Sequence, residues 1–436
     1  MATIQIDLTK TVKPMKPMHA GGQPPLGGKN MVGYFHYLTE AGIPYSRLHD
    51  VGGPFGAGKF VDIPNVFRDF DADENDPANY DFTFTDHLLK HLVAAGVEPY
   101  YRLGTTIENQ ALIKAYHTVP PKDYAKWARI CEHVILHYTE GWADGFHYNI
   151  RYWEIWNEPE VQDQMMWNGT EEQYLELYEV ASKYLKSRFP HLKIGGYASC
   201  GFYAIVPRTE IDPETNLPGT IPPSDHAKKL IRFFYKFFDY IKEHDCPIDF
   251  FSWHSYASSE RICIMDQWIH DELEKLGYGG LEVHLNEWNP FYREFGTAHH
   301  SAEIAATMMG LQHGHTDVCC IYDMRTNTSP YCPLFDICDH KPIHGYYALV
   351  AFNKLYQLKN QVETVSDTKK VYALAASNGK RHAMMICNLS GKTQPLKLEG
   401  VELTDARFYV LDQQRLLSWA PNANEIENNA VVLVEW

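Results

Sequence analysis

No C-x-x-C pair occurs in the 436 residues, which removes the usual basis for a structural zinc site. The HGH run at 313–315 and the His299-His300 pair are no substitute, because H-x-H on a helix turns its two rings to different faces. No metal and no cofactor is expected. No stretch of about 18 apolar residues exists, so no membrane span is expected. The opening MATIQIDLTKTVKP has neither an apolar core nor a cleavage signal, so it does not read as a secretory leader. Basic residues are outnumbered, 39 Lys+Arg against 55 Asp+Glu, and the net charge of −16 repels phosphate backbones. Neither nucleic acid nor membrane is an expected partner, while a homo-oligomer stays open. The G-x-S-x-G elbow of α/β-hydrolases is missing. Two Gly-rich runs, GGQPPLGG (21–28) and GGPFGAG (52–58), lack the Lys-Ser/Thr of a phosphate loop and the spacing of a dinucleotide turn. They read as loops where backbone comes close to a ligand. The nine cysteines are odd in number and show no framework spacing. They read as small hydrophobes in a reducing compartment, which points to a cytoplasmic protein.

Aromatics are plentiful instead, at 14 % with 28 Tyr and 10 Trp. A large core explains that content, and so does a cleft whose rings stack on sugar C–H faces; composition alone favours the core. From about residue 30 to 358, short apolar runs alternate with longer amphipathic ones. The helical patterns lie at 30–41, 82–95, 120–138, 171–189, 226–244, about 260–276, about 299–313 and 344–358, the third with prolines at its start. Strands end near residues 20, 48, 103, 156, 198, 255, 287 and 324. Eight βα units predict an α/β fold, a TIM (β/α)₈ barrel, over residues 13–358. After about 360 the runs become short, β-rich and turn-separated. Residues 359–436 are predicted to form a small antiparallel β-sandwich domain, joined by a strand within residues 1–12. About 75 residues is small for a free-standing core, so it should pack on the barrel.

The chemistry concentrates at two strand ends. WEIWNEPE (153–160) is a strand stopped by Pro159, which has no N–H for the ladder. Glu158 therefore sits where a barrel strand becomes a mouth loop. Trp153 or Trp156 would wall it, and desolvation raises a carboxyl pKa into the range of a general acid. VHLNEWNP (283–290) repeats the pattern, with Glu287 at the end of the seventh strand as Glu158 is at the end of the fourth. Retaining glycosidases need two such carboxyls about 5–5.5 Å apart, one acid/base and one nucleophile. A solvated ion pair or helix cap explains either Glu alone, but explains two Trp/Asn-flanked glutamates on apolar strand ends poorly.

W-x-I-W-N-E-P followed by N-E-W-N resembles the barrel superfamily of retaining glycosidases, and within it glycoside hydrolase family 39, the β-xylosidase and α-L-iduronidase family. The resemblance covers most of the chain. It implies that Asn157 hydrogen-bonds the sugar 2-OH. It implies that His254 lines the subsite of the cleaved sugar and that Tyr256 supports the nucleophile. Arg47 would lie under Glu287 and keep it ionised. His49, two residues along the same strand face, would reach the sugar, and Trp288 and Tyr322 complete the substrate-binding candidates. Arg47 as a floor ion pair and His254 as a core histidine are the ordinary alternatives. Two departures bear on the substrate. Arg102 stands where xylosidases often carry a Glu, facing either the helices or the mouth. The eighth strand, CIYDMR (320–325), lacks a Trp platform, for which Tyr322 would substitute. The expected activity is a retaining, exo-acting glycoside hydrolase on a small oligosaccharide or glycoside, with a β-xylosidase as first choice. The same chemistry on a uronic acid, galactose, arabinose or glucose is the near alternative. A non-catalytic carbohydrate-binding barrel is the distant one.

Overall fold

A computed structural model describes residues 1–52, 59–106, 118–161, 166–206, 208–211, 218–291, 294, 296–326, 331–332 and 334–436. The mouth-loop reading of 52–58 falls outside the described residues except for Gly52. After a long first strand (β1, Ala2–Pro14), eight strands close into one barrel. They are β2 (Ala20–Gly22), β3 (Tyr45–Leu48), β4 (Glu98–Leu103), β5 (Tyr152–Ile155), β6 (Lys193–Ser199), β9 (Phe250–Ser255), β10 (Glu282–Trp288) and β11 (Val318–Ile321). The closed order is β10-β11-β2-β3-β4-β5-β6-β9, which makes the strand of Glu158 the fourth and that of Glu287 the seventh in chain order. Between β6 and β9 the loop carries a hairpin, β7 (Arg208–Ile211) with β8 (Pro218–Ile221), that the alternation did not predict.

The chain sorts into two compact units, Tyr45–Ser255 with Gln267–Asn286, and Met1–Pro44 with Tyr256–Asp266 and Glu287–Trp436. In the first, helices start where polar caps precede apolar periodicity. Asp123 accepts the Lys126 N–H ahead of Tyr124–Thr139, so Pro120 and Pro121 precede this helix rather than open it. Thr170 and Gln173 form a reciprocal capping box ahead of Glu171–Arg188. The helix Asp225–Glu243 buries Leu230, Phe233, Phe234, Phe237, Phe238 and Ile241, a stripe at three- and four-residue spacing. The helix expected over 30–41 is shorter, His36–Ala41. Asn30 and Met31 take left-handed backbone there (φ 55 and 65), which breaks a regular helix. The largest wholly buried side chains include Trp153, Trp156, Trp167, Trp253 and Trp288, so most of the tryptophan content is core.

In the second unit the C-terminal strands form a nine-stranded sheet. They are β12 (Asn360–Ser366), β13 (Val371–Ser377), β14 (His382–Asn388), β15 (Gln394–Glu399), β16 (Arg407–Leu411), β17 (Ser418–Ala420), β18 (Glu425–Ile426) and β19 (Ala430–Glu435), with β1 as the ninth. β1 runs antiparallel to β12 and parallel to β15, so the sheet is mixed rather than purely antiparallel. Side chains from all nine strands, among them Ile4, Ile6, Val362, Met384, Ile386, Ile426 and Val432, meet in one apolar cluster. The sheet thus curls around its own inner face, as in a sandwich. Its strands β13, β14 and β19 also pack on the helix Ala298–His313.

Ile4 is wholly buried in that cluster. Ile4→Ala should lower the free energy of unfolding by about 2–4 kcal/mol. Lys10→Ala, on an exposed pair with Glu363, should leave it nearly unchanged. Urea titration of both variants checks this, and similar losses would show that β1 is not anchored by its apolar face.

Candidate active site

Glu154 lies in the middle of β5, wholly buried. Its carboxylate accepts from Arg47 Nε (2.8 Å), Ser252 Oγ (2.6 Å) and Asn286 Nδ2 (2.5 Å), and Arg47 Nη2 lies 2.7 Å away. Arg47, on β3, also donates from Nη2 to Asn157 Oδ1 at 2.6 Å. The Asn157 amide is thereby oriented, with Nδ2 directed to Met166 Sδ (3.7 Å). The chain then turns through left-handed backbone at Trp156 (φ 71) and Glu158 (φ 46). Such conformations cost a non-Gly residue about 1–2 kcal/mol, so the surroundings must impose them. The ladder already ends at Ile155, where Trp156 turns left-handed, and not at Pro159 as the sequence suggested; the Glu158 N–H donates to Ala198 O (3.0 Å).

Glu158 is 6 % exposed. His254 Nδ1 lies 2.6 Å from its Oε1, and the Cys200 side chain hydrogen-bonds it too. Burial pushes the carboxyl up to about 7, while the charge of Arg47 and the Cys200 contact pull it partly back. A carboxyl so poised is protonated for part of the population at neutrality and can give or take a proton. Glu160, two residues on, is wholly buried and pushed up to about 8, first by burial and then by the nearby Glu158. His49 is buried with Nε2 3.6 Å from Asp50 Oδ1. Arg102, whose orientation the sequence left open, is buried and paired with Asp62 at 2.6 Å.

Glu287 lies near the carboxyl end of β10 and is 6 % exposed. The Tyr256 hydroxyl donates to its Oε1 at 2.5 Å. Tyr256 stands in an aromatic group with Tyr322 and Tyr331, at centroid distances of 6.3 and 5.2 Å. The Arg325 guanidinium stands over the Tyr322 ring, held by Asp323 at 2.9 Å. Trp288 is wholly buried, and strand alternation turns it away from the face that Glu287 occupies.

Arg47, Asn157, Glu158 and His254 are thus joined by direct contacts or by charge, and Tyr256, Glu287 and Tyr322 form a second connected set. Sequence reasoning missed Glu154, Glu160, Cys200 and Tyr331. Glu154 had a signal, a charged residue in the middle of the apolar run YWEIW. Cys200 and Tyr331 had none, since each reaches its place through loop geometry.

Solved structures share this architecture. A glucosidase from Croceicoccus marinus superposes over 100 % of this chain and 98 % of its own with a TM-score of 0.80 at 18 % identity. A monomeric beta-xylosidase from Caulobacter crescentus covers 99 % of both chains at TM-score 0.71 and 16 % identity. At such identities the likeness concerns the fold. The fold class is therefore the closed eight-stranded barrel with an appended β domain. Residues 36–359 match the model of the glycosyl hydrolases family 39, and the chain belongs to that family. A Beta-xylosidase of Geobacillus stearothermophilus is 26 % identical over 281 residues, which are 58 % of this chain and 49 % of the relative. A Beta-xylosidase of Caldicellulosiruptor saccharolyticus is 24 % identical over 413 residues, 84 % of this chain and 72 % of the relative. The chain thus spans about half the length of the first relative.

The raised carboxyls have a consequence for stability. A group whose folded pKa exceeds its unfolded value stabilises the fold fully below the unfolded pKa, and this is lost as pH rises through the folded one. For Glu158 and Glu160 the loss runs from about pH 4.5 up to about 7 and about 8. Glu160→Gln should therefore lose less Tm than the parent between pH 5 and pH 8.5. Parallel melting curves across that range test it, and identical pH slopes would contradict it.

Proposed function

We propose that this protein is a retaining glycoside hydrolase that releases a terminal sugar by double displacement, with Glu158 as acid/base and Glu287 as nucleophile. The observation that carries the reading is the Glu158 carboxyl, buried on an Asn-Glu-Pro turn at the end of the fourth barrel strand and poised at about 7. Barrel enzymes do their chemistry at the carboxyl ends of their strands, where both glutamates lie. Family membership supports the same assignment.

In the first step Glu287 attacks the anomeric carbon, the C–O bond to the leaving group breaks, and the Glu158 proton goes to the departing oxygen. In the second step Glu158, now a carboxylate, takes a proton from water. That water attacks the anomeric carbon and frees Glu287. The Tyr256 hydroxyl bond favours the charged form of Glu287 and returns to it after each turnover. Asn157, held by Arg47, is offered to the sugar 2-OH, and His254 both orients Glu158 and borders the glycone. Tyr322, Tyr331 and Arg325 supply an apolar face and donors for the substrate, and His49 a further polar contact. Trp288 and Arg102 support the strands rather than the sugar.

We take a xyloside as the first substrate to try, since two relatives carry the name Beta-xylosidase. A single small glycoside is the proposed partner, and no cofactor is needed. All nine cysteines are unbridged, which supports a cytoplasmic setting. Among the described residues no helix is long and apolar enough to cross a membrane.

Three measurements test the proposal. A panel of aryl glycosides should show turnover, greatest for the xyloside; sugar binding without hydrolysis of any of them would favour a non-catalytic barrel. Glu287→Ala should lose at least about 10⁴-fold in kcat, and azide should restore activity with inverted product stereochemistry. Wild-type kcat/KM for poor leaving groups should fall above about pH 7 as Glu158 loses its proton. A profile flat to pH 9 would remove Glu158 from the acid role.

A further inference from the structure

Glu160 is absent from the chemistry above, yet it is built into the same turn. It is wholly buried. Its Oε1 accepts from Ser199 Oγ (2.9 Å) and from the Cys200 N–H (2.8 Å). The Cys200 side chain in turn bonds to Glu158. The Glu158 N–H is tied to Ala198 O at 3.0 Å. Residues 158–160 and 198–200 therefore form a small closed circuit around the acid/base. The strand end grips the neighbouring strand end by backbone on one side and by the Glu160 carboxyl on the other.

We propose that Glu160 is a positioning residue, an uncharged carboxylic acid that clamps the Ser199–Cys200 segment and through it fixes the Glu158 carboxyl. The proposal rests on Glu158 being the acid/base. The groups facing Glu160 are Glu158 in its own turn, Tyr174 from the helix Glu171–Arg188, and Tyr197, Ser199 and Cys200 from β6 and the residue after it. None of these is a cation. Among the described residues its buried Oε2 has no hydrogen-bond partner, a poor setting for a negative charge. Burial and the proximity of Glu158 push the group up to about 8, in keeping with a neutral acid at pH 7.

The neutral state has a catalytic use. An acid/base must hold one geometry as acid and as base. When Glu158 gives up its proton, a neutral Glu160 leaves one negative charge in the turn rather than two, so the segment is not driven apart midway through the reaction. Glu160 neither gives nor takes a proton in this scheme. A glutamine has the same acceptor oxygen and no charge, so it should replace it.

The test compares Glu160→Ala, Glu160→Gln, Cys200→Ala and Glu158→Ala on dinitrophenyl and phenyl glycosides of the sugar that the wild type turns over fastest, with a melting curve for each. Loss of a well-held general acid costs about 10²–10⁴-fold and falls on poor leaving groups. Glu160→Ala should lose about 30-fold in kcat/KM on the phenyl glycoside and less than about 5-fold on the dinitrophenyl one. Glu160→Gln should recover to within about 3-fold on both, with its alkaline limb within about half a pH unit of wild type. Cys200→Ala should lose activity on the phenyl glycoside only, and its alkaline limb should move up because a contact that lowers the Glu158 pKa is gone. Equal losses on both substrates in a folded Glu160→Ala would make Glu160 merely structural and overturn the proposal. A Glu160→Gln variant as impaired as the alanine, or with its limb lowered by about a unit, would mean that the charge is needed or present, which also overturns it. If Glu160→Ala does not fold, Glu160→Gln and Cys200→Ala decide, and a Cys200→Ala variant with no leaving-group dependence counts against the clamp. If Glu158→Ala itself shows no leaving-group dependence, the acid/base assignment falls. If Glu158→Ala shows it and the Glu160 variants do not, only the clamp falls.

Discussion

Arg47 and Glu154 meet inside the barrel with 1 % and 0 % of their side chains exposed, and the turn that carries Glu158 depends on that meeting. Two charges taken out of water are tolerable only when each satisfies the other, and removing one partner typically costs about 3–5 kcal/mol. The guanidinium is shared. One part lies on Glu154, and Nη2 also reaches the Asn157 amide. The barrel's internal charge balance and the aim of the residue before Glu158 are therefore set by one side chain. Ser252 and Asn286 complete the carboxylate's bonds from β9 and β10, so the interaction ties β3, β5, β9 and β10 to a common centre.

The acidic groups around this turn are separated by what surrounds them. Glu154 has a guanidinium directly upon it. Glu158 feels the same guanidinium only through space, with a histidine 2.6 Å away and a bond to the Cys200 thiol. Glu160 meets a hydroxyl and an amide N–H, with no cation facing it among the described residues. Three glutamates within seven residues thus have three electrostatic surroundings, which is how one short peptide combines a buried ion pair with two carboxyls held well above the usual carboxylate range.

The barrel was legible because its signal is repetitive. Apolar runs of strand length alternated with amphipathic helices such as that read at 226–244, and each repeat supported the next. The same periodicity said nothing of the β7–β8 hairpin, whose strands are four residues long and lie within a loop. It also overextended the first helix, because left-handed backbone at Asn30 and Met31 leaves no mark in hydrophobic spacing. Within the candidate site, Glu158 and Glu287 stood out because charge at the end of an apolar strand is unusual. Their supports were less visible. Cys200 resembles any other small hydrophobe until the fold brings it to Glu158, and Tyr331 joins Tyr256 only through a loop. Trp288 was conspicuous for its neighbours, and strand alternation sent it to the other side.

The position of β1 has a consequence for biosynthesis. It is synthesised well ahead of its partners β12 and β15, which lie more than 300 residues later. At about 5–20 residues per second, this strand waits tens of seconds with both ladder edges unpaired. Its outer half answers that exposure. Thr9, Lys10, Thr11 and Lys13 put charge and hydroxyls on the waiting segment, as gatekeepers do on strands that must not pair with the wrong chain.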